Sequence, residues 1–573
     1  MLQTLTTPRG ETLSGTPWQV YPRPQMRRDS YINLNGEWDF AVSSGKPETF
    51  DMRILVPFCP ESRLSGIGRH FEEGMPMWYR RRFVLPDGFR RERVLLHIGA
   101  ADQTAEVFVN GQHLCRHEGG YASFCVDITE ALAEENELVI RCTDDLHDQA
   151  FPYGKQVTNR GGMWYTPVSG IWQTVWLESV PDIYIEKLNI ENHGASVTIS
   201  TVPPLEGTVS VEPLGQFPLE NGQVTIAPEN PHFWCPDDPY LYHFTLETAQ
   251  DKVESYFAIR SLEIKKVGEY PRLCLNGKPW FFHGLLDQGY WPEGLLTAPA
   301  PESYADDILA MKNLGFNTLR KHIKVEPEEF YYQCDRLGMI VWQDMVNNGS
   351  YSYFRDTVLP TIGIQKWNDR QLHLDERSRN AFRRGAADAV NQLKNHPCIC
   401  YWTIFNEGWG QFDSDRVCGW FRTLDATRFI DATSGWFRGK NTDVDSRHQY
   451  FGKLRLKGDG LRPLVLSEFG GKTWRVEGHI FNPDKTYGYG ACPTREALNE
   501  AVATLYRESI VSAVERGLCA AIYTQVSDVE DEVNGLATYD RRVVKLDADT
   551  MLPISRALRD AMEKTVASFE KMG

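Results

Sequence analysis

The sequence predicts a multidomain β and α/β chain: a jelly-roll β-sandwich over residues 1–182, an immunoglobulin-like β-sandwich over 183–267 and a (β/α)8 TIM barrel over 268–573. Three observations predict it. At 573 residues the chain is too long for one hydrophobic core. Up to about residue 267, short alternating apolar runs recur between turn signals, the period-two pattern of strands with one buried face. Beyond about residue 268, apolar runs alternate with helical stretches, which points to βα units and a parallel sheet.

In the first block, Val94–Ile98 and Ala105–Val109 read as strands, Asn110-Gly111 as a turn, and Gly170–Leu177 as one strong closing strand. Ser196–Ser200 and Tyr242–Leu246 continue the pattern in units that fit an immunoglobulin-like sandwich, without its Cys–Trp–Cys framework. The barrel strands are expected at Trp280–Leu285, Phe316–Arg320, Met339–Asp344, Ile399–Asn406, Phe429–Ala432, Ser446–Tyr450, Pro463–Ser467 and Cys519–Thr524. Helices fit at Glu302–Leu314, Glu326–Arg336, Asp375–Lys394 and Thr494–Arg516.

A net charge of −16 argues against nucleic-acid or anionic-membrane partners, which need a concentrated basic face. No apolar run approaches the ~18 residues of a membrane span. The twelve cysteines lie in apolar stretches without zinc spacing, and the start MLQTLTTPRG lacks a secretory pattern, so a cytoplasmic protein is the expectation.

Chemistry is expected at the C-terminal ends of barrel strands. Glu407 closes the fourth strand in Ile404-Phe405-Asn406-Glu407, and Glu468 closes the seventh in Leu466-Ser467-Glu468. A carboxylate ending an apolar strand is costly unless it faces a polar mouth. Strands four and seven face each other across a narrow barrel. Two opposed carboxyls are what glycoside hydrolysis requires, one to protonate the leaving oxygen and one to attack or to activate water.

At this point the whole chain resembles glycoside hydrolase family 2, the group of β-galactosidases, β-glucuronidases and β-mannosidases. Asn406-Glu407 matches the family's acid/base motif, and Ser467-Glu468-Phe469-Gly470 its nucleophile motif. Leu34-Asn35-Gly36-Glu37-Trp38, Asn110-Gly111 and Ser169-Gly170-Ile171-Trp172 agree in the N-terminal block. The resemblance implies a retaining enzyme with Glu407 as acid/base and Glu468 as nucleophile. It implies that Asn406 binds the sugar 2-hydroxyl, that Arg320 lies beside the nucleophile and that Tyr450 hydrogen-bonds it. As plain sequence, the alternatives are that Arg320 is an internal ion-pair partner and Tyr450 a core aromatic. Glu468 must be ionised to attack, whereas Glu407 must rest protonated, its pKa raised by the field of Glu468.

The sugar pocket departs from the family. The Asn-x-Lys with which β-glucuronidases hold the sugar carboxylate is replaced by Glu532-Val533-Asn534, and a carboxylate there would repel a uronate. Gly-x-x-Arg-His after the first strand is absent, which puts Asp287 and Gln288 forward as sugar ligands, with a loop cap as the alternative for Asp287. His322 or Lys324 is expected to take the role of a missing histidine after the second strand. Tyr523 stands where many relatives carry a tryptophan, and Trp164 where an acidic residue reaches the site in β-galactosidases. Tyr290-Trp291, Trp409 and Trp474 could stack on a sugar or simply pack their loops. The aromatic loop Met345–Leu374 (Tyr351, Tyr353, Phe354) would shape an aglycone subsite. The acidic run Asp528–Glu532 reads as a solvated loop that could also take a cation.

The reading that follows is an exo-β-glycosidase for a terminal neutral sugar, a β-galactoside or β-glucoside. A β-glucuronidase or β-galacturonidase with a rebuilt carboxylate pocket is the alternative. A non-catalytic carbohydrate-binding protein on the same scaffold is the reading from another class. Two-carboxylate chemistry requires no cofactor, although some family members hold magnesium near the acid/base. The expected partner is a small glycoside or oligosaccharide, and family resemblance also allows a homo-oligomer.

Overall fold

The computed structural model describes residues 2–570 except 363, 365–367, 453 and 455. Residues 31–180 form two antiparallel sheets packed face to face. One has four strands in the order Tyr31–Asn33, Val175–Val180, Arg93–Ile98, Phe124–Asp127. The other has six, running from Met52–Val56 to Gln112–Glu118. Alternate residues such as Trp38, Phe40, Tyr79, Leu96, Ile140 and Leu177 fill the space between them, as the period-two pattern requires. The expected strand Gly170–Leu177 is broken into Gly170–Ile171 and Val175–Val180. The break falls at Trp172, whose indole N–H turns inward to donate to the carbonyl of Gly120 at 2.8 Å.

A second, smaller sandwich of three and four antiparallel strands lies between Lys187 and Phe257, with its own core of Ile190, Ile199, Val209, Phe244 and Leu246. It is tied to the first by a buried ion network. Arg28 donates to Glu178 at 2.8 Å and to Asp251 at 2.6 Å, and Arg23 reaches Glu178 at 2.9 Å. Burial alone would raise the Glu178 carboxyl, but Arg23, His97 and Arg28 hold it well below the usual value. Its contribution to stability is therefore complete above about pH 4.5 and lost as pH falls toward the lowered folded value. Glu178→Gln leaves two arginines short of a counter-charge in the interior. It is expected to cost about 3–5 kcal/mol, read as a lower midpoint of thermal unfolding.

Eight parallel strands follow: β1 Phe282–Asp287, β2 Thr318–Lys321, β3 Ile340–Asp344, β4 Ile399–Asn406, β5 Phe429–Ser434, β6 Asp445–Gln449, β7 Leu464–Gly470 and β8 Leu518–Thr524. Their order in the sheet is β5-β4-β3-β2-β1-β8-β7-β6, a barrel whose ladder is open only between β5 and β6. All eight residues of β4 are buried, which is why it reads as a continuous apolar run and not as an alternation. The preceding helix Glu376–Leu393 starts at Asp375, whose carboxylate accepts from the amides of Arg377 and Ser378. The expected helix Thr494–Arg516 is α-helical over Arg495–Leu505 and widens into a π-turn at Tyr506–Val511. There Tyr506 packs against Phe469 and Tyr523 of the barrel wall.

The first sandwich is seated on the barrel mouth. The amides of Tyr153 and Gly154 donate to the carbonyl of Asn347 at 3.1 and 3.4 Å, and the hydroxyl of Tyr153 reaches Gly349 O at 2.8 Å. On the opposite rim the Tyr165 hydroxyl meets Glu532 at 2.6 Å, and Arg160 meets Asp531 at 2.8 Å. No helix among the described residues is long and apolar enough to cross a membrane.

Candidate active site

Glu468, at the end of β7, is almost fully buried and carries a donor on each oxygen. Arg320 Nη1 lies 2.9 Å from Oε1, and the Tyr450 hydroxyl donates to Oε2. The same guanidinium donates from Nε to Asp344 Oδ1 at 2.9 Å and from Nη2 to Asn406 Oδ1 at 2.8 Å, so three strand ends fix its plane. Burial alone would raise the Glu468 carboxyl. His448, Arg320, His322 and Tyr450 overcome that and hold it down at about 2. The group is thus a carboxylate throughout the physiological range.

Glu407, one residue past β4, is held differently. Its side chain is 25% exposed against 4% for Glu468, so one carboxyl opens toward solvent and the other forms the floor. Its backbone sits at φ +50° with its amide bonded to Ser434 O at 2.9 Å, a left-handed turn that swings the side chain into the mouth. Gly408, at φ +76°, completes that turn, and a Cβ there would lie 2.3 Å from the Phe437 ring. His448 links the two acids. Nδ1 is 2.8 Å from Glu407 Oε1, while Nε2 is 2.9 Å from Ser434 Oγ and 3.7 Å from Glu468 Oε1. One oxygen of each glutamate and a ring nitrogen of His448 lie within 4.8 Å of one another. Those donor types could also ligate a cation, but both Glu468 oxygens already have protein partners, and an ion there would occupy the space between the two acids.

The structure gathers Arg320, Asn406, Tyr450 and His322 around this pair. His322 Nδ1 is 2.7 Å from Asp344 Oδ2 and 4.0 Å from Glu468 Oε1. Gln288 is buried at the start of the first βα connection, directly after β1, with its Oε1 lacking a protein partner. Trp409 closes the mouth in a cluster with Tyr153, Trp164 and Tyr351, at ring separations of 5.5, 4.9 and 6.0 Å. Tyr351 stands for the third loop there, whereas Tyr353 and Phe354 are exposed. Residues 363 and 365–367 of that loop lie outside the described residues.

Several expectations need correction. Asp287 does not stand free for a sugar: Lys321 binds its Oδ2 at 2.6 Å and the Gly289 amide its Oδ1 at 2.9 Å. Lys321 lies 4.3 Å over the Phe330 ring, on the helix-facing side of the barrel. Arg320 and His322 point inward, so their neighbour Lys321 points out by strand alternation, and Asp287 follows it. Lys324 does not take the histidine's place. Its ammonium is buried against Gly289 O, Leu296 O and Glu326, and burial lowers it to about 8. The Tyr523 ring also faces outward, between Phe469 and Tyr506. Trp291 packs on Tyr304 and Arg541 away from the pair, and Trp474 is half-buried against the barrel core. The acidic run is not solvated. Asp528 pairs with Lys545 at 2.6 Å, Glu530 accepts from the Thr166 amide, Asp531 takes Arg160, and Glu532 is capped by Tyr165 and Asn534.

Two contributors escaped the sequence reading. His448 is two residues before Tyr450, so strand alternation would have put it on the same face. Asp344, ending β3, had the same strand-end signal as the two glutamates. Arg320→Met would remove one of the positive groups that keep Glu468 ionised. The acid limb of the kcat/KM profile, set by Glu468, is expected to move up by at least about one pH unit.

Three family models match the chain in order: the galactose-binding domain-like model of glycosyl hydrolase 2 over residues 70–161, glycosyl hydrolases family 2 over 182–260, and the family 2 TIM barrel domain over 266–455. The chain belongs to glycoside hydrolase family 2. It is 24% identical over 358 residues to a β-galactosidase of Thermoanaerobacter pseudethanolicus, covering 57% of this chain and 44% of the relative. It is 24% identical over 463 residues to a β-glucuronidase of Paenibacillus borealis, covering 72% and 73%. The chain spans about half the length of the first curated relatives it matches. A solved β-glucuronidase of an uncultured Clostridium species superimposes with a TM-score of 0.71 at 18% identity, over 95% of this chain and 100% of that one, and so shares the fold.

Proposed function

We propose that the protein is a retaining exo-β-glycosidase that removes a terminal β-linked uronic acid. The observation that carries the reading is the Glu468–Glu407 pair. One carboxylate is buried and pinned by Arg320 and Tyr450, the other is partly exposed, and the nearest oxygens of the two lie within 4.8 Å beside His448, which favours the short separation of a retaining pair. An inverting enzyme needs about 6.5–9.5 Å for an intervening water. The first sandwich closes one side of the mouth, which suits a single terminal sugar.

Glu468 attacks the anomeric carbon as the glycosidic C–O bond breaks, and Glu407 gives its proton to the departing oxygen. A covalent glycosyl ester on Glu468 results. Glu407, now a carboxylate, takes a proton from water, whose oxygen attacks the same carbon and frees Glu468. Arg320 occupies Asn406 Oδ1, which leaves Asn406 Nδ2 to donate to the sugar 2-hydroxyl.

The uronide is supported by the names of the relatives, of which the β-glucuronidases share the greater length with this chain. A neutral sugar is the second reading. It is favoured by the buried Glu532 where a uronidase would hold a cation, and by acceptors without protein partners on Gln288 and Gln525. Initial rates on nitrophenyl β-glucuronide, galacturonide, galactoside, glucoside and mannoside separate the two. A uronide cleaved at least about tenfold better than its neutral counterpart supports the first reading. The reverse order overturns it in favour of the second.

A further inference from the structure

We propose that Lys155, supplied by the N-terminal sandwich, is the anchor for the carboxylate of the terminal sugar. The inference rests on the uronide reading and deepens it. The loop after β8, where a cation is expected, presents Glu532 instead, and that carboxylate is already satisfied by the Tyr165 hydroxyl at 2.6 Å and Asn534 Nδ2 at 3.0 Å. Lys155 belongs to the same sandwich segment as Tyr165: the Tyr165 amide donates to Lys155 O at 3.0 Å, and Gln156 bridges to Tyr165.

The backbone carries this lysine into the mouth. Gly154, at φ +64°, is so close to the loop after β2 that a Cβ would lie 3.1 Å from Ile323 O, one residue past His322. The Tyr153 and Gly154 amides are tied to Asn347 on the third loop. Lys155 therefore leaves the chain where the sandwich meets the rim above His322. Its positive charge is felt at both His322 and Glu532, in keeping with that position at the rim.

That ammonium is unspent. Among the described residues no carboxylate lies within 4 Å of it and no hydrogen bond uses it. It lies over the Trp164 ring, with Nζ 5.9 Å from the centroid. Arg320, Lys321, Lys324 and Arg160 all have carboxylate partners. A half-buried cation without a carboxylate partner, carried to the barrel mouth beside the loops after β2 and β3, is complementary to an anionic group on a sugar bound there. A Lys is a point charge on a flexible stem and needs no fixed approach, so it suits a carboxylate held chiefly by the contacts of the ring hydroxyls.

The test compares kcat/KM for nitrophenyl β-glucuronide and β-galacturonide with that for the matching glucoside and galactoside, in the wild type, Lys155→Met and Lys155→Arg. A charge-assisted hydrogen bond of about 1.5–3 kcal/mol corresponds to a loss of about 10–150-fold. Lys155→Met is expected to lose that much on the uronide and to stay within about threefold on the neutral sugar, with Lys155→Arg recovering part of the difference. Equal losses on both substrates would show a merely structural lysine and overturn the proposal, as would an unchanged uronide rate. Lys155→Gln, which keeps the stem, gives the same comparison should the methionine variant fail to fold. If the wild type cleaves only neutral glycosides, the uronide reading itself fails and the anchor with it. A wild type active on uronides beside an indifferent Lys155→Met sinks the anchor alone.

Discussion

Glu468→Ala is expected to lower kcat/KM by about 10⁴-fold or more while the protein stays folded. The substitution removes the proposed nucleophile, and among the described residues no neighbouring carboxylate is free to replace it. Asp344 is held by Arg320 and His322, and Glu407 approaches from the other side. Arg320 keeps Asp344 and Asn406 as partners, so its burial is still compensated and circular dichroism should be unchanged. The vacated space lets a small anion in beside Arg320. Azide should restore turnover of activated substrates by attacking from the nucleophile's face and releasing an α-glycosyl azide.

Glu407→Ala should produce a different pattern, and the difference identifies its role. Without a proton donor the first step depends on how well the aglycone leaves unaided. Dinitrophenyl glycosides are expected to lose about tenfold or less in kcat/KM, and poorly leaving alkyl glycosides about 10³-fold or more. The second step also loses its base, so the covalent intermediate accumulates and a burst of phenol precedes a slow steady state. Azide needs no general base, and here it should yield the β-glycosyl azide. The paired outcome, α-azide from one variant and β-azide from the other, follows from the two carboxyls flanking one carbon. His448 touches both groups, so its replacement is expected to disturb both steps.

The positions of these two glutamates were legible because strand ends announce themselves. Glu407 and Glu468 interrupt apolar runs, and the eight strands lie within a few residues of their expected positions, since buried parallel strands must be continuous apolar segments. Orientation was harder. Asp287, Lys324 and Tyr523 stand at or just past strand ends as the two glutamates do, but their side chains turn toward the helices or the domain junction. Period-two alternation sorts the first and last of these once one inward residue is known, whereas Lys324 lies in a loop where no period applies. The buried acidic run could not be read as an interface because its partners, Arg160, Tyr165 and Thr166, lie some 365 residues earlier in the chain. Lys155 escaped for the same reason. A side chain delivered by another domain has no signature near the residues it serves.

The central claim is that Glu468 becomes covalently bonded to the sugar. Incubating the wild-type protein with the 2-deoxy-2-fluoro glycosyl fluoride of the preferred sugar slows both steps but the second more, and should trap that ester. Peptide mapping by mass spectrometry is predicted to place one sugar per chain on Glu468, with no label on Glu468→Ala. A label on any other residue, or full inactivation with no covalent mass, would contradict the account.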